Sequence, residues 1–236
     1  MLAHNPRIVT DGLVLCLDAA NPKSYPGSGT TWKDLSKNSN DGTLINGVGY
    51  SEDNQGSMVF DGVNDRADTN YTLINGTDAS PPINIEFVIN PDETQPEVTR
   101  APLWIGSAYY SGFGMRYTGS IFQIWLRTSA GIFTNTLPLQ SGVFQHVVLG
   151  YGGQANPSMY SYINGILNTD RSVTFAAFNL NLSSYPFRIA LPQTTGGSSA
   201  SGYFNGKIAS VKIYNRALSE SEIKQNFQAL RGRYGI

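Results

Sequence analysis

The sequence predicts an all-β, antiparallel two-sheet sandwich closed by a short C-terminal helix. Three observations carry that prediction. Short apolar or alternating runs recur along the chain, punctuated by Asn46-Gly47, Asp61-Gly62, Asn75-Gly76, Asn164-Gly165 and Asn205-Gly206, dipeptides that supply positive φ at little cost. Convincing helical spacing is confined to one place near the C-terminus, at Ile223, Phe227 and Leu230. Charged side chains make up only 14% of the 236 residues and aromatics 11%. Charges usually reach about a quarter, so this balance suits strands and tight turns and argues against disorder. All-β sandwiches commonly reach roughly 200–250 residues as one unit. A single domain over residues 13–236, preceded by an arm at 1–12, is therefore expected.

Along the chain, Leu13–Asp18 is a strongly apolar strand. Cys16 sits among Leu13, Leu15 and Leu17, and as a lone cysteine it forms no internal disulfide. No base or helix start adjoins it, so it reads as a buried small hydrophobe rather than an activated thiol. The polar stretch 22–40 holds Pro26, Gly27, Gly29 and Trp32. Further strands are expected at 43–45, 57–60, 83–89, 103–105, 113–117, 121–126, 143–149, 159–163, 173–175, 187–191 and 207–214. Segments 91–102 and 193–202 read as loops. In the last strand Ala209, Val211 and Ile213 point one way and Ile208, Ser210, Lys212 and Tyr214 the other. Ser219, with Glu222 three residues later, is a capping box that opens the helix.

Sixteen basic and seventeen acidic residues leave a formal charge of −1, with no basic run. Nucleic acid and anionic membrane are therefore not expected partners. No stretch approaches the ~18 apolar residues of a membrane span. Residues 1–7 lack the apolar core of a signal peptide, which implies synthesis in a cytoplasm.

Several motifs, in order, carry a family resemblance. Trp32-Lys33-Asp34-Leu35-Ser36 with Asn40-Asp41-Gly42 forms one loop signature. Phe60-Asp61-Gly62, Phe144-Gln145-His146, Tyr162-Ile163-Asn164-Gly165 and the block from Tyr203 to Ile223 follow. This ordered set resembles laminin-G-like domains of the concanavalin A-like lectin/glucanase fold, implying a jelly-roll sandwich. The start Gly12-Leu13-Val14-Leu15, the run from Leu17 to Pro22 and the end from Arg231 to Ile236 resemble the version found in structural proteins of tailed phages, marine ones especially. In two places the chain departs from the family pattern. Val88 stands where relatives often have tryptophan, and Ala209-Ser210 replaces an acidic residue. Asp61 and Asp65 thus lack the partner that a calcium site of six or more oxygens needs, and neither metal nor cofactor is expected.

Glycoside hydrolysis on this fold needs two carboxylates flanking the sugar bond. Of the six glutamates, Glu86 alone falls in a strand, with no second acid beside it. It reads as a polar residue on a solvated or concave face, not a catalyst. His146 reads as a hydrogen-bonded structural histidine, and the chain has no zinc motif, nucleophile elbow or phosphate loop. A sugar-binding surface is more promising. With Phe122, Ile124 and Leu126 on the core face, Gln123, Trp125 and Arg127 share the opposite one. There an indole, an amide and a guanidinium together suit a sugar ring and its hydroxyls. Arg116 in a nearby strand and the Tyr109-Tyr110 turn complete the candidate set. The alternative reading has Trp125 filling space beneath crossing loops.

The resemblance implies a non-catalytic virion structural protein, a capsid decoration, head-fibre or tail-associated subunit. Its partners would be phage capsid or tail proteins, with symmetric self-association as one means of attachment. The alternative is a carbohydrate-binding adhesion module contacting host-surface polysaccharide. A glycoside hydrolase is the third reading.

Overall fold

The computed structural model describes residues 6–72, 81–93, 100–107, 111–118, 121–128, 131–153, 158–168, 173–174, 186–191 and 202–236. Among them, the chain runs through β1 (Leu13–Asp18), β2 (Thr31–Trp32), β3 (Gly42–Ile45), β4 (Gly49–Ser51), β5 (Ser57–Asp61), β6 (Arg66–Thr72), β7 (Ile83–Pro91), β8 (Arg100–Ser107) and β9 (Ser111–Thr118). It continues through β10 (Ile121–Thr128), β11 (Gly131–Leu137), β12 (Gln145–Tyr151), β13 (Ser158–Ile163), β14 (Ile166–Leu167), β15 (Val173–Thr174), β16 (Pro186–Ile189), β17 (Asn205–Tyr214) and α1 (Glu220–Tyr234). Sheet A has the order β14-β13-β12-β7-β17-β5-β4, with β1 also on β17 and β15 on β13. Sheet B has the order β11-β10-β9-β8-β16-β6-β3-β2.

The two sheets close on one apolar layer because alternate residues of each strand point inward. Leu15, Leu17, Phe87, Val147 and Val211 of sheet A pack in the same core cluster as Phe113, Met115, Ile124, Leu126 and Ile189 of sheet B. Trp32 is fully buried in that layer. Its neighbour Asp34 ties the following loop to β1, accepting from the Cys16 amide at 2.8 Å and from the Asn40 amide at 2.9 Å. The expected cysteine burial holds: Cys16 is 5% exposed, and burial pushes its thiol up to about 11.

The helix forms as its sequence dictates. Ser219 accepts from the Glu222 amide while the Glu222 carboxylate accepts from the Ser219 amide, completing the capping box. Gly235 ends it in the left-handed conformation. The buried stripe, however, is Ile223, Asn226, Leu230 and Tyr234, so a polar asparagine takes the centre. Phe227 is only half-buried, and its ring packs beside His146, with centroids 5.9 Å apart. The Asn164-Gly165 hairpin passes beneath that ring. Both residues have positive φ, and a Cβ on Gly165 would lie 2.9 Å from Phe227, so glycine is required there twice over.

The strict alternation expected in β17 is broken. Ile208, Val211 and Ile213 all face the core, whereas Ala209 packs with Leu230 and Tyr234 of the helix. A β-bulge between Ile208 and Ser210 causes this: one extra residue reverses the facing of everything before it. Segment 143–149 also starts later than expected, at Gln145. That side chain bonds the Gln140 amide and carbonyl at 3.0 and 2.8 Å, closing a turn where a strand start was predicted. Segment 91–102 is not loop throughout, since β8 begins at Arg100. Residues 94–99, the Asn75-Gly76 turn and most of 193–202 lie outside the described residues.

Candidate functional site

The face of sheet B turned away from the core is built by ladder register. Cross-strand pairs place Thr134, Trp125, Gly114, Trp104, Arg188, Asp68, Thr43 and Thr31 in one transverse row spanning all eight strands. A second row joins Thr136, Gln123 and Arg116. Phe122, Ile124 and Leu126 are buried as expected, which commits Gln123 and Trp125 to the outward side.

The structure brings three of the six sequence candidates together. The Arg116 guanidinium lies over the Trp125 ring, with Cζ 4.5 Å from the centroid, a cation–π distance. Its Nε and Nη2 donate to Gln123 Oε1 at 3.2 and 3.1 Å. Burial lowers the Arg116 pKa from its ordinary value, yet guanidinium stays charged throughout the accessible pH range. Arg127 holds its register place opposite Gly112 and Ile132. Its side chain, and Tyr109 and Tyr110 entirely, lie outside the described residues.

Of the two readings of Trp125, the structure favours the space-filling one over the platform. Trp125 is 4% exposed, so its indole is not an open stacking surface. The groups this patch presents are the half-buried Arg116 and Gln123, with Trp125 as the floor that orients them. Of the sequence candidates, Arg116, Gln123 and Trp125 are thus neighbours, with Trp125 the covered member.

Sequence reasoning missed the far half of the row. Asp68 sits 3.4 Å from Arg66 Nε and 3.6 Å from Arg188 Nε, and all three are partly exposed. The strand of Arg66 and Asp68, β6, was not predicted. Its core-facing positions are Ala67, Thr69 and Tyr71, too weakly apolar to show alternation. Among the described side chains this face carries Arg66, Arg116 and Arg188 against Asp68. Such an array donates hydrogen bonds and attracts negative charge.

The opposite face of sheet A is closed by α1 and residues 6–12. Glu86 lies there, 0% exposed, not on a solvated or concave face as expected. Asn226 Nδ2 donates to both Glu86 carboxylate oxygens at 2.9 and 3.0 Å. Asn226 Oδ1 accepts from the Val9 amide at 2.7 Å, and Tyr214 Oη donates to the Val9 carbonyl at 3.0 Å. His146 is buried with Nε2 3.6 Å from Glu86 Oε2, and among the described residues neither ring nitrogen has a hydrogen-bond partner. In place of the side-chain hydrogen bond of the sequence reading, the imidazole packs on Phe227. Asp61 accepts from the Val63 and Asn64 amides and Asp65 from the Asp61 amide. Both carboxylates therefore serve the β5–β6 turn.

Among curated proteins, none matches the chain in sequence. In structure it is similar to domain 4 of AbnA, an extracellular arabinanase from Geobacillus stearothermophilus in complex with arabinotriose, at 16% identity and a TM-score of 0.66 over 92% of this chain and 99% of that one. It is also similar to Trypanosoma rangeli sialidase in complex with sialic acid, at 18% identity and TM-score 0.63, covering 96% of this chain and 36% of the sialidase. A botulinum neurotoxin type C structure, whose cell entry depends on interaction with two ganglioside molecules, matches at 14% identity and TM-score 0.66, covering 94% and 52%. The chain thus spans about a third of the sialidase and half of the toxin chain, and at these identities the likeness is one of fold. A family model matches residues 61–224, more than half of the sequence. The chain belongs to the concanavalin A-like lectin/glucanases superfamily.

Proposed function

We propose that this chain is a non-catalytic carbohydrate-binding module that engages glycan with the outer face of sheet B. The observation that carries the reading is the transverse polar row. It aligns guanidinium, carboxylate and hydroxyl groups across eight strands with no helix over the described part of that face. Sugar recognition needs such convergent donors and acceptors beside an apolar floor, and Trp125 supplies the floor under Arg116. Three relatives in fold engage arabinotriose, sialic acid or gangliosides, which supports the ligand class. The burial of Glu86 beneath α1, doubly bonded by Asn226, supports a non-catalytic role, because a general acid must reach the scissile bond.

The test is a glycan array probed with the wild type and with an Arg116→Ala, Arg188→Ala double variant. Retention of at least one glycan class by the wild type, reduced at least tenfold in the variant, is the expected result. Wild-type chain retained by no glycan would refute the reading.

A second reading, a virion structural subunit on a phage capsid or tail, rests on the resemblance of residues 12–22 and 231–236 to tailed-phage structural proteins. The two are compatible, since a particle ornament can also hold sugar. Immunodetection of this chain on purified particles is the expected result of the second reading, and its absence from them would refute it.

A further inference from the structure

At the β2 margin of sheet B the segment between β1 and β2 folds into a pocket of about 420 Å³, within the usual size range for small-ligand sites of roughly 300–1,000 Å³. Lys23, Lys33, Ser28, Thr30, Thr31 and Pro26 are among its lining residues, and no acidic side chain is. We propose that this pocket holds the anionic group of an acidic saccharide, a uronate or a sulfated sugar, whose chain continues along the transverse row. The inference deepens the carbohydrate reading and rests on it.

The pocket is built by the surrounding backbone. The Lys33 amide donates to the Ser24 carbonyl at 2.7 Å, and the Ser24 hydroxyl returns a bond to the Lys33 carbonyl at 2.5 Å. That reciprocal clasp brings the two lysine-bearing strands of the loop to one mouth. Ser24 is itself buried and accepts from the Asp18 amide at 3.1 Å, which anchors the clasp to β1. Tyr25 packs on Tyr50 with ring centroids 5.1 Å apart and donates to the Gly29 carbonyl at 3.0 Å. The loop is thus held before any ligand arrives, which lowers the ordering cost of binding.

The charges are uncompensated. Neither Lys23 nor Lys33 is in an ion pair among the described residues. Both are exposed, and the acids nearest them in sequence are engaged elsewhere, Asp18 by Arg233 and Asp34 by the amides of Cys16, Ser36 and Asn40. Thr31 belongs both to the pocket and to the row. Beyond Asp68 the row carries Arg188, with Arg116 in the neighbouring row, on a chain whose overall formal charge is −1. Positive charge is therefore concentrated where the fold presents its open face. Six strand spacings separate Thr31 from Trp125 along that row, about 29 Å at roughly 4.8 Å each, so the pocket and the Arg116 patch are independent contact points.

The experiment is calorimetric titration at low salt of the wild type and a Lys23→Gln, Lys33→Gln double variant. The probes are trigalacturonate, a sulfated carrageenan tetrasaccharide and neutral arabinotriose, with sodium sulfate as the free-anion arm. The wild type is expected to bind at least one acidic probe tenfold more tightly than arabinotriose, with affinity falling as salt rises. The double variant should lose at least tenfold toward that probe and nothing toward arabinotriose, while melting with the wild type. Binding of the carboxylated probe alone identifies a uronate site, and of the sulfated probe alone a sulfate-ester site. Equal affinity for acidic and neutral probes, an unaffected double variant, or sodium sulfate binding as tightly as the sugars would overturn the assignment. Arabinotriose binding without acidic-sugar binding removes this inference and leaves the carbohydrate reading. No binding of any probe removes this inference, and the carbohydrate reading falls with it only where the glycan array is blank as well.

Discussion

On the outer face of sheet A, Glu86, His146, Lys212 and Asn226 are sealed beneath α1 and residues 6–12, each no more than 2% exposed. On the outer face of sheet B, Arg66, Asp68, Arg116 and Arg188 stand partly open, with Asp68 and Arg188 paired in one register row. Both faces carry charge, and the difference lies in what satisfies it. On sheet A the carboxylate is matched by Asn226, Lys212 Nζ donates to Ser210 Oγ at 3.1 Å, and removing any partner leaves a buried polar group unmet. On sheet B the same kinds of group face water, where their solvation is exchangeable for ligand. Polar residues under a helix hold the fold, and polar residues on an open sheet are free to bind.

That contrast is broken most severely by Asn226→Leu, which strips Glu86 of its donors and Val9 of its acceptor. Loss of one partner of a buried charged group costs about 3–5 kcal/mol, so Tm should fall by about 10 °C, read by thermal unfolding. Glycan retention at permissive temperature should be unchanged. Trp125→Ala is next. At 4% exposure the indole is a packing element, and its removal should cost about 3 kcal/mol in a denaturant titration. A surface-exposed platform would instead give an unshifted midpoint. Ser219→Ala tests the clamp over sheet A, and loss of the cap should cost about 1 kcal/mol.

The same cap predicts a pH dependence. Hydrogen bonds from Arg216 hold the Glu222 carboxyl down at about 2, against an ordinary value of 4.5. A depressed carboxyl contributes stability fully above its unfolded pKa and loses it as pH falls through the folded one. Wild type should therefore lose stability between pH 4.5 and 2 more steeply than Glu222→Gln, by about 1 kcal/mol for this largely solvent-screened group. The smallest effect is at Cys16, whose thiol should show no reaction with an aqueous disulfide reagent at pH 8 while the protein stays folded.

Much of this fold was legible because its strongest signals are local. The capping box, the Asn164-Gly165 turn and the apolar alternation of 121–126 each need only a few adjacent residues. What escaped depended on partners distant in sequence. β11 hides its period because Asn135, a polar side chain at 3% exposure, occupies a core-facing position. The facing of Glu86 was unreadable, since the residue that covers it, Asn226, is 140 positions away. Arg116 and Gln123 were found as candidates, but which of them covers Trp125 is decided by side-chain packing across the β9–β10 ladder. The Arg66–Asp68–Arg188 cluster needed the pairing of β6 with β16, which no local pattern announces.

The most direct test of a binding role for sheet B is amide chemical-shift mapping while an oligosaccharide that the chain retains is titrated in. The account predicts shifts concentrated in β2, β3, β6, β16, β9 and β10, with β7, β12, β17 and α1 unperturbed. Shifts centred on α1 and the Glu86 cluster, with sheet B silent, would contradict it.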